Sequence, residues 1–420
     1  MSNYMESGIE WVGKIPKTWK VMPNKRIMHK HKILCESYNN EDILSLTMKG
    51  VIVRDLEAGG KIPATFDGYQ VVYPNNLLMC LFDYDVTPRC IGLIKNKGLT
   101  SPAYSQFVLD NGNYPGYYYY YYLMIDHTKE LLHLAKNLRH SFTEEQLGEI
   151  YTPVPPIKDQ IKIANYLDRK VKEIDNIIEK TKETIEDYKK YKQSVITEAV
   201  TKGINKLVEM KESGIDWIGN IPKTWTIQKV KQIASLKTGT TPSTNNADWF
   251  NGDYNWFTPG DFNDNYIMEK SNRKLSQQAK IDKVATIIPP DTTMIIGIGG
   301  TAGKIGYVNN ECSCNQQITA IISNCVYNKY LMYWMIANTK FLKETAIYTT
   351  LPIINNDTLG RYLFINPNDI ATEKEIVQYL DKKCKEIDNL ILSKEKIIEE
   401  LEQYKKSLIY EYVTGKKEVI

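Results

Sequence analysis

The stretch YLDRKVKEIDNII (Tyr166 to Ile178) returns near the end of the chain as YLDKKCKEIDNLI (Tyr379 to Ile391), and nothing else in the sequence constrains the fold as much. A near-verbatim return at such a separation is a duplication. In both copies apolar residues keep a seven-residue spacing: Leu167, Val171, Ile174, Ile178 and Ile185 in the first, then Leu380, Ile387, Ile391, Ile398 and Leu401 in the second. That spacing is the a/d seam of paired helices. The polar interruptions recur as well, with Lys192 matching Lys405 and Thr181 matching Lys394. Ordinary bundle helices would explain either copy alone. Two matched, heavily charged helices of about forty residues, each roughly 60 Å long, are most simply paired antiparallel with each other about a pseudo-two-fold axis.

A chain of 420 residues exceeds one ordinary core and predicts several domains. The formal net charge of +3 does not announce a polyanion binder, so any nucleic-acid footprint has to be local. The seven cysteines include no CxxC pair and form a poor disulfide framework. With no secretory leader and no bilayer-length apolar run, the expected location is cytoplasmic, with no membrane partner.

The duplication has further markers. ESGIEWVGKIPKTW (Glu6 to Trp19) returns as ESGIDWIGNIPKTW (Glu212 to Trp225) with eleven of fourteen positions identical. These turn-rich lead-ins carry Trp11, Trp19, Trp217 and Trp225, which are expected to be packing anchors. Between lead-in and long helix, each half reads as short strands followed by a helix. The strands are ILSLTMKGVIV, YQVVY, NLLMCLFDY and CIGLI in the first half, and IDKVATII, TMIIGIG, KIGYV and ITAIIS in the second. The helices are PGYYYYYYLMIDHTKELLHLAKNL and NKYLMYWMIANTKFLKETA; a tyrosine run on a helix covers every face, so most of it is expected in the core. QLGEIYTPVPP and TLGRYLFINPN then place a strand and a proline stop before each long helix. The joint VTKGINKLVEMKESGIDW resembles the two chain ends brought together, which predicts that they lie close. The fold expected is α+β: two mixed α/β domains (1–155 and 204–366) joined by two long helices (156–203 and 367–420) forming an antiparallel coiled coil, an internal repeat with pseudo-two-fold symmetry.

Several stretches approach catalytic motifs and miss. MIIGIGGTAGKIGYV has Ile298 where a phosphate loop needs its first glycine and Ile305 where it needs Ser or Thr. The residues after its glycines read as a strand, whereas a dinucleotide site opens a helix there. VPPI and IPPD fail a methyltransferase tetrad at both ends, and the five histidines lack metal-ligand spacing. Catalysis and metal binding by this chain are therefore not expected.

Polar loops suited to a polyanion remain. KTGTTPST offers Lys237, Thr240, Thr241 and Ser243 in one turn, the groups that bind phosphate oxygens. NWFTPGDF adds Thr258, GTAGK adds Lys304, and CNQQ adds Asn315 and Gln316, whose amides pair bidentately with adenine. In the first half FDYDVTPR offers Arg89, a guanine or phosphate ligand, and GLTSPAYSQ offers Ser101 and Tyr104.

Taken together, the duplicated lead-in, LKTGTTPST, WFTPGDF, GTAGKIG, CNQQI, FDYDVTPR, SPAY and the YLD.K.KEID helices resemble the DNA-specificity subunit of Type I restriction-modification enzymes over essentially the whole chain. The resemblance implies two target-recognition domains, each reading one half of a split, asymmetric site in double-stranded DNA. It implies helices that set the spacing and dock modification subunits along the seam residues named above. It also implies that the chain binds no cofactor: S-adenosylmethionine, ATP and Mg belong to the modification and restriction subunits. From a different class, a coiled-coil scaffold whose inserted domains bind proteins or peptides remains open at this point; it predicts no salt-dependent DNA affinity.

Overall fold

The computed structural model describes residues 3–59, 62–135, 140–263, 265–344, 347–348 and 352–419. The helical runs read from sequence extend into 136–138 and 345–346, which lie outside the described residues. The chain forms two compact units, Met1–Thr181 with Lys396–Ile420, and Lys182–Glu395.

In the first unit, a four-stranded antiparallel sheet runs in the order Met28–Lys30, Ser105–Leu109, Leu77–Met79, Ile91–Leu93. Lys20–Pro23 pairs with Tyr151–Val154, so the strand that follows the lead-in and the strand before the long helix are hydrogen-bonded together. Helix Pro115–Thr128 packs on the sheet and opens with a proline in its first turn, where a missing N–H costs nothing. Its tyrosines are core: Tyr117, Tyr118, Tyr120, Tyr121 and Tyr122 are buried, and Trp19 meets Tyr117 edge-on at 6.2 Å.

The second unit repeats this plan. Its sheet runs Ser235–Thr238, Ile318–Ile322, Thr292–Ile296, Ile305–Val308, again all antiparallel. Thr226–Lys229 pairs with Leu363–Asn366, and Asn328–Ala337 is the counterpart of the tyrosine helix. The second unit adds a three-stranded sheet, Arg273–Leu275, Tyr254–Phe257 and Ser313–Cys314.

Two stretches expected as single strands are built otherwise. ILSLTMKGVIV is a hairpin, Leu44–Thr47 with Gly50–Val53, because Gly50 takes φ +93 and reverses the chain. The stretch IDKVATII instead carries the end of the helix Gln277–Ile281 and then irregular chain, with Lys283 at φ +52 after the last helical turn.

The long helices span Ile157–Lys202 and Ile370–Val413. Their exposed faces carry i,i+3 ion pairs such as Lys170–Glu173, Lys189–Glu186 and Lys383–Glu386. Asp369 opens the second helix by accepting from the Thr372 hydroxyl and from the amides of Thr372 and Ala371, which holds its carboxyl below the usual range. Gly203 and Gly415, both at positive φ, lie just beyond the two helix ends.

Within the first unit the start of the first helix packs antiparallel on the end of the second: Tyr166 stacks on Tyr412 at 4.5 Å and Lys405 pairs with Asp175 at 2.7 Å. Within the second unit Lys192 pairs with Asp388 at 2.8 Å. The two bridges join equivalent residues of the repeat, so the matched Lys192 and Lys405 form reciprocal ion pairs. The segments at the two chain ends also meet as expected, Lys416 donating to the Val12 carbonyl at 2.9 Å. Tyr117 donates to the Val413 carbonyl at 2.8 Å, as Tyr330 does to Val200 at 3.1 Å.

Candidate nucleic-acid interface

The loops of the second unit converge at one end of its sheet. Strand Ser235–Thr238 feeds the turn that holds Thr240, whose amide donates to the Cys314 carbonyl at 2.9 Å. Gly239 lies so close to the CNQQ turn that a Cβ there would sit 2.3 Å from the carbonyl oxygens of Cys314 and Asn315. The Trp256 indole N–H donates to the Thr240 carbonyl at 3.1 Å, and the Asn315 amide to the Phe257 carbonyl at 3.0 Å. The Thr241 hydroxyl donates to the Gln316 side-chain oxygen. Thr258 is fixed by the Asp261 carboxylate, which accepts from its amide and its hydroxyl. Thr240, Thr241, Thr258, Asn315 and Gln316 are therefore brought together.

The other candidates of this unit lie on neighbouring strands and loops. Lys237 is exposed on the edge strand and Ser243 on the loop beyond Pro242. Lys304 is half-buried at the start of the next strand pair, its carbonyl accepting from Ile296. Asn315 is buried, with its amide nitrogen given to Gln317, whereas Gln316 is exposed. Burial pushes the Cys314 thiol up to about 12, which keeps it protonated.

In the first unit Ser101 and Tyr104 are held together by Gln70, which donates to both of their carbonyls at 3.1 and 2.7 Å. Arg89 is spent elsewhere: its guanidinium donates to the Met48 carbonyl and to the Tyr119 hydroxyl at 2.9 Å. Burial, with the Arg89 charge adding to it, depresses the nearby His127 to about 4, so that imidazole is neutral at physiological pH.

Against this geometry, residues 222–403 match the family described as the Type I restriction modification DNA specificity domain. That segment, less than half of the chain, is similar to the family. The Type I restriction enzyme MjaIX specificity subunit of Methanocaldococcus jannaschii is 29% identical over 195 residues, 44% of each protein, so the match spans less than half the length of that curated relative. A chain solved in work on complex assembly and conformational transition of the type I R-M system superposes with a TM-score of 0.74 at 14% identity, over 96% of this chain and 99% of that one. The HsdS subunit from Thermoanaerobacter tengcongensis gives 0.51 at 14% identity, over 96% and 98%. The likeness establishes the fold.

All the candidates of the second unit lie inside the segment matched to the specificity-domain family. The seam residues need a correction. Leu167, Ile174 and Ile178 belong to the first unit's core with Leu408, and Leu380 to the second unit's; Ile185, Ile387 and Ile391 are also buried, while Val171, Ile398 and Leu401 are half-buried. These apolar side chains are occupied by packing within the two units. The faces left open repeat at equivalent positions: Ile177 and Leu390 are 50% and 46% exposed, Tyr191 and Tyr404 57% and 55%.

Sequence reasoning missed what braces these loops. Thr286 donates its amide to the Thr240 hydroxyl at 2.8 Å, and Arg273 lies 4.9 Å from the rings of both Phe250 and Trp256. It also missed the tie between tyrosine helix and long helix, Tyr120 to Asp168 at 2.8 Å and Tyr333 to Asp381 at 2.7 Å. A usable signal was present: the separation is 48 residues in both halves. Among the described residues no group of three His, Cys, Asp or Glu side chains is arranged to hold a metal, and no helix is long and apolar enough to cross a membrane.

Proposed function

We propose that the chain is the DNA-specificity subunit of a Type I restriction-modification enzyme. Each unit reads one half of a bipartite, asymmetric double-stranded site. The observation that carries this reading is the contrast between scaffold and loops. Sheet order, tyrosine helix and reciprocal ion pairs are the same in the two units, whereas the loops over the sheets share neither length nor residues. A repeated scaffold with divergent loops is what two readers of different sequences need.

In the second unit the exposed Lys237, Thr240, Thr241, Ser243 and Gln316, with Thr258 and Lys304 beside them, supply phosphate and base-edge contacts. Asn315 shapes the turn that presents Gln316. Ser101 and Tyr104 serve the first half-site. Residues 1–155 and 204–366 are the readers, and 156–203 and 367–420 the spacers. Two modification subunits dock on the repeated open faces marked by Ile177 with Tyr404 and by Tyr191 with Leu390, bringing S-adenosylmethionine. Restriction subunits add ATP- and Mg-dependent steps. The chain itself is the non-catalytic reader.

The test is to express the chain with its modification subunit and map methylated adenines. A single split motif with two unrelated halves is expected. No sequence-dependent methylation, together with no salt-dependent DNA affinity, would overturn the reading.

A further inference from the structure

The first unit carries an element with no two-stranded counterpart among the described residues of the second: the hairpin Leu44–Thr47 with Gly50–Val53. One face of it is docked. Leu44 is buried with Val72, Leu78 and Ile94, and Leu46 and Val51 pack against that cluster. The hairpin lies flat on the sheet at Gly92, where a Cβ would come within 2.5 Å of Val51 and 2.8 Å of Leu46.

The tip is open. Met48 is 64% exposed, Ile52 and Val53 are also exposed, and Lys49 stands beside Met48 in solvent. The turn closes on itself, because the Thr47 hydroxyl donates to the Gly50 carbonyl at 3.0 Å and accepts from the Lys49 amide at 3.1 Å. From below, Arg89 grips the Met48 carbonyl while its other arm holds Tyr119 of the tyrosine helix. The Nε of Arg89 is buried without a partner in the structure. A guanidinium fixed at two points is a strut between core and tip.

We infer that this hairpin enters the major groove of the first half-site, with Met48 and Lys49 as specificity-determining contacts and Arg89 as the residue that positions them. The inference rests on the DNA-reading function proposed above. A two-stranded ribbon is narrow enough for the major groove. An apolar thioether suits the thymine methyl edge, and an ammonium suits guanine acceptors or phosphate. The rigid seat keeps the tip in register with the base pairs. Arg89 thereby changes from a contact to a support, since its two arms are already engaged with protein.

The experiment uses the full chain assembled with its modification subunit, reading methylated motifs and DNA affinity against salt. Met48→Ala is expected to relax discrimination at one base pair of the first half-site by about fivefold or more, leaving the second half unchanged. Lys49→Ala is expected to weaken binding and, if the contact is a phosphate, to lower the salt slope by about one. Arg89→Ala is expected to relax the same base pair as Met48→Ala at an unaltered salt slope, with Arg89→Lys recovering part of the preference. The tip is exposed, so its two substitutions leave folding intact. Wild-type motifs and affinity in both tip variants would overturn the hairpin assignment while leaving the function standing. Weaker association of the modification subunit with those variants, with the methylated motif unchanged, would overturn it in favour of a protein contact. Failure of the unaltered complex to bind specifically would overturn both.

Discussion

Glu373 offers a test of how closely the two halves of the chain are built to one plan. It sits in the first turn of the second long helix, 1% exposed, and its carboxylate accepts from the Tyr327 amide at 2.6 Å. The equivalent residue in the first half is Gln160, fully buried, which accepts from the Tyr114 amide at 2.7 Å. Both pairs are 46 residues apart. A neutral amide thus does in one unit what a carboxyl does in the other. Burial raises the Glu373 pKa from 4.5 to about 7, with Asp369 adding to it and the Tyr327 amide opposing. The native state therefore holds a proton between about pH 4.5 and 7 that the unfolded chain has released. Stability from this group is full below 4.5 and is lost as pH rises through 7. From pH 5 to pH 8 the loss is about 2 to 3 kcal/mol, at about 1.4 kcal/mol per pKa unit. Glu373→Gln removes that dependence. Urea unfolding followed by tryptophan fluorescence reports mainly on the second unit, which holds Trp217, Trp225, Trp249, Trp256 and Trp334 of the seven tryptophans. With a slope of about 2 to 3 kcal/mol/M, the wild-type midpoint is expected to fall by about 1 M more than that of Glu373→Gln between pH 5 and pH 8. Parallel pH profiles for the two proteins would refute the buried, proton-holding carboxyl.

The reciprocal ion pairs are expected to differ in strength because they differ in exposure. In a double-mutant cycle Lys192–Asp388, with the lysine 10% exposed, is expected to couple by about 1 to 3 kcal/mol, and Lys405–Asp175, with its carboxylate 52% exposed, by under about 1 kcal/mol. Tyr120→Phe and Tyr333→Phe each remove a hydrogen bond to a carboxylate, so each is expected to cost about 1.5 to 3 kcal/mol in denaturant titrations, and similar amounts in the two units. Gly239→Ala forces the Thr240 turn away from the CNQQ turn, and is expected to destroy recognition of the second half-site while the first half-site is still bound.

The helices were legible because a seven-residue period and a verbatim repeat are properties of the sequence alone. The tyrosine run was legible as core because no helix can turn six consecutive rings to solvent. The hairpin at Gly50 was not, since ILSLTMKGVIV alternates well enough to be one strand and only the positive φ of Gly50 breaks it. Nor was the true position of Arg89: a Pro-Arg pair in a polar loop carries no mark of the Tyr119 hydroxyl 30 residues away. Among the loops, sequence singled out Thr240, Thr241 and Gln316, which the fold brings together. It did not reveal that Asn315 turns inward while its neighbour faces out, because that depends on the amide-to-amide bond with Gln317.

The interchangeability of the helix ends can be pressed further. The first core takes Leu408, Ile409, Tyr412 and Val413 from the end of the second helix, and the second core takes Val195, Ile196, Ala199 and Val200 from the end of the first. Three of the four pairs are alike; the fourth exchanges Tyr412 for Ala199. In the first unit Tyr412 covers Tyr166 at 4.5 Å. In the second unit the equivalent Tyr379 is left 38% exposed, since alanine is too small to cover it. A half-chain of residues 204–420 lacks the helix end that closes its core, but a second copy supplies Leu408 to Val413 in the same places. Tyr412 of that copy then covers Tyr379, an aromatic contact of about 0.5 to 1.5 kcal/mol at each of two equivalent sites. The half-chain is expected to dimerise, and with the modification subunit to methylate a palindrome built from the second half-site. Tyr412→Ala is expected to weaken that dimer by about fivefold or more, measured by sedimentation equilibrium. A folded but monomeric half-chain, or a dimer tightened by Tyr412→Ala, would show that the two helix ends are matched in sequence without being exchangeable in their cores.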